Sequence, residues 1–287
     1  KLPKATEKIL IVGGGPAGLE AARTAAILGH EVHLHEATKR LGGQVTIAAT
    51  APHRADLGAI TKWLESEMER LKINVTLNSL VDPDLVAEIA PDRIILATGS
   101  TPRADGFQLT TPIAPLKGFD LDHVYSSWDV LGFGGRVNTA GPAVVFDDTG
   151  TFEAISVADA LLEQGMKVTL VSRYESLGAS LPYPPATVEA ARERLMSQDF
   201  DFIGGHYIQA ITQDEVMIGV PFTERNRRVQ ANTVALVTYN HPNRELGDYL
   251  ADQFTEAKTK IHTIGDASGT NGIQAAIHQA ANLIRSL

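Results

Sequence analysis

The sequence predicts an α/β protein with two doubly wound domains, each built around a parallel sheet. Three observations lead to this fold class. Short β-branched runs alternate with helical patterns, and a glycine-rich turn joins the first run to its helix. The same order of strand, turn, helix and strand then restarts in the second half of the chain. A length of 287 residues leaves room for about two domains.

The first half opens with a strand, a turn, a helix and a second strand. Residues 8–12 form an apolar run that ends in glycines, which is typical of a buried parallel strand before a tight turn. Small and apolar residues recur at helical spacing over 17–28, and residues 31–36 alternate like a strand. One βαβ unit is therefore predicted here.

Three further elements complete the first sheet. The predicted helix covers 55–71, and the predicted strands cover 73–77 and 93–97. The stretch 101–142 is rich in proline, glycine and aspartate, so we expect it to cross between the domains.

The second half repeats the βαβ order. The predicted elements are, in chain order, a strand at 143–146, a turn at 147–150, a helix at 156–164, and strands at 167–171 and 233–237. A last strand begins at 261 and leads towards a helix over 272–285. A second parallel sheet is therefore expected.

Charge and hydropathy disfavour two kinds of partner. The formal net charge of −9 argues against nucleic acid and against anionic membrane surfaces. No apolar run approaches the roughly 20 residues that span a bilayer. The first residues also lack the apolar core of a secretion signal, so a cytoplasmic location is expected.

The chain contains no cysteine, and this excludes a set of chemistries. Disulfides, thiolate nucleophiles, cysteine-bound zinc and iron–sulfur clusters all require that residue. His33 and His35 fall on one face of the second predicted strand, but no further ligand at metal spacing completes a site around them. No metal site is predicted.

The spacing Gly13-x-Gly15-x-x-Gly18 follows a strand and opens a helix, which is the context of a dinucleotide-binding turn. The first glycine permits the tight turn, the second admits a pyrophosphate to bare backbone, and the third lets helix and strand pack closely. Glu36 ends the second strand and can accept hydrogen bonds from ribose hydroxyls. Its charge would repel a 2′-phosphate, so the turn predicts FAD, NAD or ADP and disfavours NADP.

Three further segments, Gly42-Gly43-Gln44, Ala97-Thr98-Gly99 and Ile264-Gly265-Asp266, recur with the first turn in a known family. Together they resemble the glutathione-reductase-like flavoproteins. Within that class the chain is most similar to the C-terminal halves of the trimethylamine dehydrogenase, 2,4-dienoyl-CoA reductase and N-methylproline demethylase group. The stretches that carry this likeness are 11–22, 41–45, 93–99 and 236–238.

The resemblance implies two Rossmann-like domains, the second inserted into the first. It places an FAD- or ADP-binding domain at 1–105 and 239–287, around an inserted NAD(P)-binding-like domain at 106–238. It also implies that Asp266 holds the ribityl chain of FAD, and that the helix from 272 points its N-terminus at the flavin pyrimidine edge. The residues expected to hold the cofactor are Gly13, Gly15, Pro16, Ala17, Gly18, Glu36, Ala37, Gly43, Gln44, Ala97, Thr98, Gly99, Gly265, Asp266, Gly272 and Ile273.

The resemblance also implies a partner. In that group the nucleotide domains follow a TIM barrel that carries FMN and a cysteine segment that binds a cluster. This chain has no cysteine, and two nucleotide domains use its length. We therefore expect a barrel-bearing partner subunit, or a longer polypeptide, to supply the substrate chemistry.

The second βαβ turn departs from the pattern. It reads Asp147-Asp148-Thr149-Gly150-Thr151-Phe152, with a single glycine. Carboxylates beside a pyrophosphate repel it, and side chains obstruct the approach to the backbone, so the turn disfavours NAD(P)H. Trimethylamine dehydrogenase has a similarly altered second domain and carries ADP in its first.

Two functions follow from these observations. One is an FAD-dependent oxidoreductase component that transfers electrons between FAD and a partner flavin or nicotinamide. The other is an ADP-binding structural or regulatory module without redox chemistry. No residue is assigned as a catalytic acid or base.

Overall fold

The computed structural model describes residues 5–133, 137, 139–181, 186–253, 259–269 and 272–287. The chain divides into two compact units. The first comprises Lys1–Ala49, Asp56–Thr101 and His241–Leu287, and the second comprises Thr50–Ala55 and Pro102–Asn240. In chain order, the second unit therefore interrupts the first.

The first unit begins with alternating strands and helices. They are β1 (Lys8–Val12), α1 (Pro16–Ile27), β2 (Glu31–His35), α2 (Gln44–Ala48), α3 (Gly58–Arg70), β3 (Asn74–Thr76), α4 (Pro83–Ile89), β4 (Arg93–Leu96) and β5 (Ser100–Thr101). Proline suits the start of α1 because its ring fixes φ, and the first helical N–H has no intrahelical partner to lose.

The second unit repeats this alternation and adds a hairpin region. Its elements are β6 (Val124–Ser126), α5 (Ser127–Val130), β7 (Ala143–Asp147), α6 (Phe152–Glu163), β8 (Val168–Ser172), α7 (Ala186–Met196), β9 (Phe200–Ile203), β10 (Tyr207–Ile211), β11 (Glu215–Gly219), β12 (Asn226–Gln230) and β13 (Thr233–Val237). The chain then returns to the first unit through β14 (His241–Pro242), α8 (Glu245–Gln253), β15 (Lys260–Thr263) and α9 (Gly272–Ser286).

Both units contain a five-stranded parallel sheet in which four adjacent strands follow the same order. The outer strand beside them differs, because it comes last in the chain in the first sheet and first in the chain in the second. The first sheet runs β15-β4-β1-β2-β3, and the second runs β6-β13-β7-β8-β9. The central strands are β1 and β7, and each leads into the turn before α1 or α6. The strand order reverses beside each of them. Ligands of open α/β sheets bind at the carboxyl ends of the strands beside such a reversal.

Each central strand is covered on both faces. In β1, Ile9 and Ile11 belong to one core cluster and Leu10 to another, and all three are fully buried. In β7, Val145 and Phe146 divide between two clusters in the same way. Burial of each such side chain contributes about 1.5–3 kcal/mol to the free energy of folding. The central strands therefore hold the turns that follow them in place.

The predicted fold class is confirmed: both sheets are parallel and doubly wound. The predicted strand at 233–237 coincides with β13, and most other boundaries differ by one or two residues. Helix α6 is the larger exception, because it begins at Phe152 rather than 156. Thr151 caps it by accepting a hydrogen bond from the Glu153 N–H, so the helix begins directly after the turn.

Two sheets were not predicted from the sequence, and the smaller one is the antiparallel pair of β5 and β14. Strands β10, β11 and β12 form an antiparallel sheet of three strands. Its edge strand, β12, is polar and exposed apart from Val229, so it lacks the apolar alternation by which a strand is predicted. Among the described residues, no helix is long and apolar enough to cross a membrane.

Candidate nucleotide site

Two glycines of the first turn are required by the protein's own backbone. Gly13 has φ +107°, and a Cβ there would lie 2.3 Å from the Ala97 carbonyl oxygen. A Cβ on Gly18 would lie 1.9 Å from the Gly13 carbonyl oxygen. The turn and the start of α1 therefore pack at a distance that no side chain permits.

Gly15 is different, because none of the described residues requires it to be glycine. Its φ is −75°, an ordinary value, and a Cβ there would meet no atom within 4 Å. It precedes α1 directly, and no side chain caps that helix. Open space in front of a helix N-terminus suits a phosphate group, which the helix dipole and the free N–H groups attract.

Glu36 is buried and braces this turn. Its Oε2 accepts a hydrogen bond from the Gly14 N–H at 2.7 Å, and its Oε1 accepts one from the Thr38 N–H at 2.8 Å. This bracing role was not predicted from the sequence. Each carboxylate oxygen can accept more than one hydrogen bond, so capacity remains for ribose hydroxyls. Ala37 lies exposed beside it.

The second glycine segment lies against the first turn. The Gly42 N–H donates to the Gly14 carbonyl oxygen at 2.8 Å. A Cβ on Gly43, whose φ is +52°, would lie 3.2 Å from the Gly15 Cα. The predicted residue Gly43 therefore borders the same open space as Gly15.

The next predicted pair is joined by a side-chain contact. The Gln44 Nε2 donates to the Asp266 Oδ2 at 3.2 Å, although 222 positions separate the two residues. The same nitrogen lies 3.0 Å from the Ser100 Oγ and 3.2 Å from its carbonyl oxygen. Ser100 was missed by the sequence analysis, and its place directly after Ala97-Thr98-Gly99 is the only signal that points to it.

The late Gly-Asp turn packs against the start of α1. A Cβ on Gly265 would lie 2.8 Å from the Ala17 Cβ, and the Gly265 N–H donates to the Gln279 Oε1 at 2.8 Å. Gln279 belongs to α9, so that helix holds the turn in place. At its start, Gly272 is exposed with open space where a Cβ would lie, and Ile273 is half-buried.

Asn243 is a second residue that the sequence analysis missed. Its Nδ2 donates to the Thr98 carbonyl oxygen at 2.9 Å, and its N–H donates to the Gly99 carbonyl oxygen at 3.0 Å. Its own carbonyl oxygen accepts from the Thr98 Oγ1 at 2.7 Å. It thus holds the turn whose Ala97 carbonyl packs against Gly13.

We predict that Asn243→Ala weakens nucleotide binding by about 3- to 10-fold, because one part-buried hydrogen bond of about 1 kcal/mol is lost and the 97–99 turn loosens. Equilibrium dialysis against FAD and against ADP measures this effect. Asn226→Ala, an exposed substitution on β12, is the control and should change neither affinity. Equal affinities in the Asn243 and Asn226 variants would contradict the positioning role.

The second unit has a turn in the corresponding place, but acidic side chains fill it. Asp147 is fully buried, and its Oδ1 accepts the N–H groups of Gly150 at 2.7 Å and Thr149 at 3.1 Å. Its Oδ2 accepts from the Ser172 Oγ at 3.1 Å. Burial raises the pKa of this carboxyl, and these hydrogen bonds to the charged form oppose that rise.

Asp148 is also fully buried, with a different set of partners. Its Oδ2 accepts from the Leu109 N–H at 2.7 Å, and its Oδ1 lies 3.0 Å from the Arg173 Nε. Burial raises the pKa of Asp148 to about 6, against the lowering effects of the Leu109 hydrogen bond and of Arg173. Neither carboxylate therefore faces an open crevice.

The histidines of β2 bind neighbours within their own unit. The His33 Nε2 lies 2.8 Å from the Glu31 Oε1, and its Nδ1 lies 3.2 Å from the Asn74 Nδ2. The His35 Nδ1 lies 2.9 Å from the Ser79 Oγ. Within the described part of the chain, no group of three histidine, aspartate or glutamate residues could hold a metal ion.

Comparison with known proteins identifies oxidoreductases as relatives of this chain. Residues 7–121 match the family described as Pyridine nucleotide-disulphide oxidoreductase. The chain is 39% identical over 178 residues to N,N-dimethylglycine/sarcosine dehydrogenase of Chromohalobacter salexigens, which covers 61% of this chain and 24% of that protein. It is 36% identical over 277 residues to NADH oxidase of Thermoanaerobacter brockii, which covers 94% of this chain and 39% of that protein. The structure of histamine dehydrogenase from Rhizobium sp. 4-9 matches with a TM-score of 0.89 at 25% identity, over 100% of this chain and 45% of that chain.

The fold and the site thus define an oxidoreductase module with two dinucleotide-binding-type domains. The chain resembles the glutathione-reductase-like flavoproteins, and its relatives include amine dehydrogenases, as its motifs predicted. These comparisons confirm the predicted oxidoreductase class, and they support a flavin cofactor and a redox role. The chain spans less than half the length of each of these relatives.

Proposed function

We propose that the chain is an FAD-dependent oxidoreductase component that passes electrons between FAD, held in the first unit, and a partner flavin or nicotinamide. The observation that carries this proposal is the contact between Gln44 and Asp266 beside an open glycine turn. ADP has no group that would reach such a pair beyond the pyrophosphate, whereas FAD has a ribityl chain and a flavin.

The adenosine half of the cofactor would bind at the first turn. The N–H groups of Gly15, Ala17 and Gly18, at the start of α1, would face the pyrophosphate, and the open space at Gly15 fits that group. Pro16 has no N–H to donate, and its ring would border the same space. Glu36 would accept the ribose hydroxyls from its free lone pairs. The backbone of Gly43 would close the other side of the same space.

The flavin half would bind beyond Gln44. Asp266 would accept hydrogen bonds from ribityl hydroxyls, and Gln44 would hold that carboxylate in position. The N-terminus of α9, at Gly272 and Ile273, would favour negative charge at the pyrimidine edge. When bound, FAD supplies the electron chemistry itself, and the chain supplies position and electrostatics.

We assign the FAD-binding domain to 1–105 and 239–287, and the NAD(P)-binding-like domain to 106–238. Support for this assignment comes from the order that four adjacent strands share in the two sheets. The relatives are longer proteins, which favours a barrel-bearing domain or subunit as the site of substrate chemistry. One relative is named an NADH oxidase, and this favours keeping nicotinamide as an alternative redox partner.

A second function, ADP binding without redox chemistry, is favoured by one observation. The groups around Gly15, Glu36 and Gly43 all belong to the adenosine half of the site, and they would bind ADP as well as FAD. Such a module would stabilise an assembly or regulate it.

The absorption spectrum and the released nucleotide separate these two functions. We expect the purified chain to be yellow, or to become yellow on incubation with FAD, and heating to release FAD. A colourless chain that releases ADP, and that does not take up FAD, would refute the oxidoreductase proposal.

A substitution makes the same distinction within the site. Asp266→Ala should weaken FAD binding about 10-fold or more, because hydrogen bonds to a charged group are worth about 1.5–3 kcal/mol, and should leave ADP binding unchanged. Asp248→Ala, in α8, is the matched acidic control. Equal losses of FAD and ADP affinity, or no loss of either, would count against the assignment of Asp266 to the ribityl chain.

A further inference from the structure

The turn after β7 occupies the same topological place as the glycine turn after β1. Both strands are central in their sheets, each between a later strand and the next strand of the chain, and each turn leads into a helix of 12 residues. Counted from the strand end, Gly150 corresponds to Gly15. The second turn is one residue longer, because the N-cap of α6 is Thr151 and that of α1 is Gly15, so the two turns correspond when they are counted from the strand end.

The Asp147 carboxylate takes the position of an anionic ligand in this turn. Its Oδ1 accepts the N–H groups of Thr149 and Gly150, and Gly150 corresponds to Gly15, whose N–H is assigned to the pyrophosphate in the first turn. The Thr149 Oγ1 also donates to this oxygen, at 3.2 Å. The side chain is fully buried, so these donors are shielded from solvent.

The space in front of the turn is filled as well. A Cβ on Gly150 would lie 2.7 Å from the Ser180 Oγ, and the Ser180 N–H donates to the Gly150 carbonyl oxygen at 2.9 Å. A Cβ on Gly15 would meet no atom of the described residues within 4 Å. The space where a Cβ would lie is therefore open at Gly15, and at Gly150 it is occupied by Ser180 and Tyr174.

The neighbouring strand ends are closed by cross-links between side chains. Arg173, after β8, pairs with Asp148, after β7, at 3.0 Å. The Arg173 Nη2 also donates to the Tyr239 Oη, after β13, at 3.4 Å, and to the Tyr174 Oη. These three adjacent strands end at the crevice where a nucleotide would bind.

We infer that the second unit is a self-occupied dinucleotide fold, in which Asp147 and Ser180 are specificity-determining residues that exclude NADH and NADPH. The exclusion itself concerns only the second unit. One consequence rests on the proposed function. If the second unit excludes nicotinamide, the partner flavin is the remaining redox partner of the FAD.

Hydrogen exchange with mass spectrometry, on the full chain saturated with FAD, tests the inference. FAD occupies the first unit, so any nicotinamide effect at Thr149 and Gly150 reports on the second. We expect millimolar NADH or NADPH to leave exchange at both amides unchanged, and calorimetry to show no binding. Added protection at these amides, with a binding isotherm, would overturn the inference.

Three variants separate occupancy from charge. Asp147→Asn keeps an acceptor oxygen and should still exclude NADH, whereas Asp147→Gly should speed exchange at Gly150 about 10- to 100-fold, as expected when a hydrogen bond to a charged acceptor is removed. Asp122→Asn is the control, because Asp122 is an exposed acidic residue of the same unit. Unchanged exchange at Gly150 in Asp147→Gly would refute the role of Asp147.

The outcomes also distinguish this inference from the proposed function. A chain that takes up no FAD and binds no NADH in the second unit refutes the proposed function and supports the exclusion. A yellow chain that NADH bleaches, with protection at Thr149 and Gly150, supports the proposed function and refutes the exclusion.

Discussion

Gly15→Val is expected to fold like the wild-type protein and to lose its nucleotide. The residue has φ −75°, which valine adopts readily, and a Cβ at this position meets no protein atom within 4 Å. The added methyl groups would occupy the space assigned to the pyrophosphate. Crowding of this kind costs about 1–3 kcal/mol, so FAD and ADP should both bind about 10- to 100-fold more weakly.

The measurement is a pair of titrations with FAD and ADP, beside a thermal unfolding curve of each ligand-free protein. Gly15→Ala gives a graded version with a smaller loss of affinity, and Gly58→Ala is a control at the start of another helix. Because both nucleotides share the pyrophosphate, this variant differs from Asp266→Ala, which should affect FAD alone. Full occupancy by both nucleotides in Gly15→Val would show that the first turn is not the site.

Residues that stand directly beside a strand were the easiest to place from the sequence. The turn glycines and Glu36 stand next to β1 and β2, and their spacing alone predicted a turn with an acidic partner. The strand patterns likewise predicted both parallel sheets, because short apolar β-branched runs bounded by turn residues are typical of buried strands.

Contacts between distant segments were harder to predict. Gln44 and Asp266 are 222 positions apart, and only the family resemblance suggested that they serve one site. Asn243 was missed because it acts largely on backbone atoms, which no local sequence pattern marks. Ser100 was missed for a related reason, since a serine after a glycine is common in turns.

The acidic turn shows what residue identity leaves undetermined. The sequence predicted that Asp147 and Asp148 would repel a pyrophosphate, which assumed that both carboxylates face the ligand. In the structure Asp147 points into its own turn and Asp148 pairs with Arg173. The charge was readable from the sequence, but the direction of the side chain depends on neighbours such as Ser172 and Leu109.

Gly18→Ala should have the opposite profile to Gly15→Val, with a large loss of stability. In an exposed helix, replacing glycine by alanine stabilises by about 0.5–1 kcal/mol. At Gly18 the new Cβ would lie 1.9 Å from the Gly13 carbonyl oxygen and 3.3 Å from the Ala97 Cβ. The first obstacle is backbone in a turn that cannot retreat, because a Cβ on Gly13 would itself meet the Ala97 carbonyl.

The first unit must therefore separate α1 from the turn to accept this alanine, at a cost of about 3 kcal/mol or more. Thermal unfolding by circular dichroism should show a midpoint lower by roughly 6–12 °C. Gly58→Ala is the matched control, since its Cβ would make only an ordinary contact of 3.9 Å with Ala49, and its midpoint should stay the same or rise. The two unfolding midpoints are then compared. If Gly18→Ala were as stable as Gly58→Ala, helix propensity would outweigh packing at the turn. The close approach of α1 to the turn would then not be the reason for the third glycine.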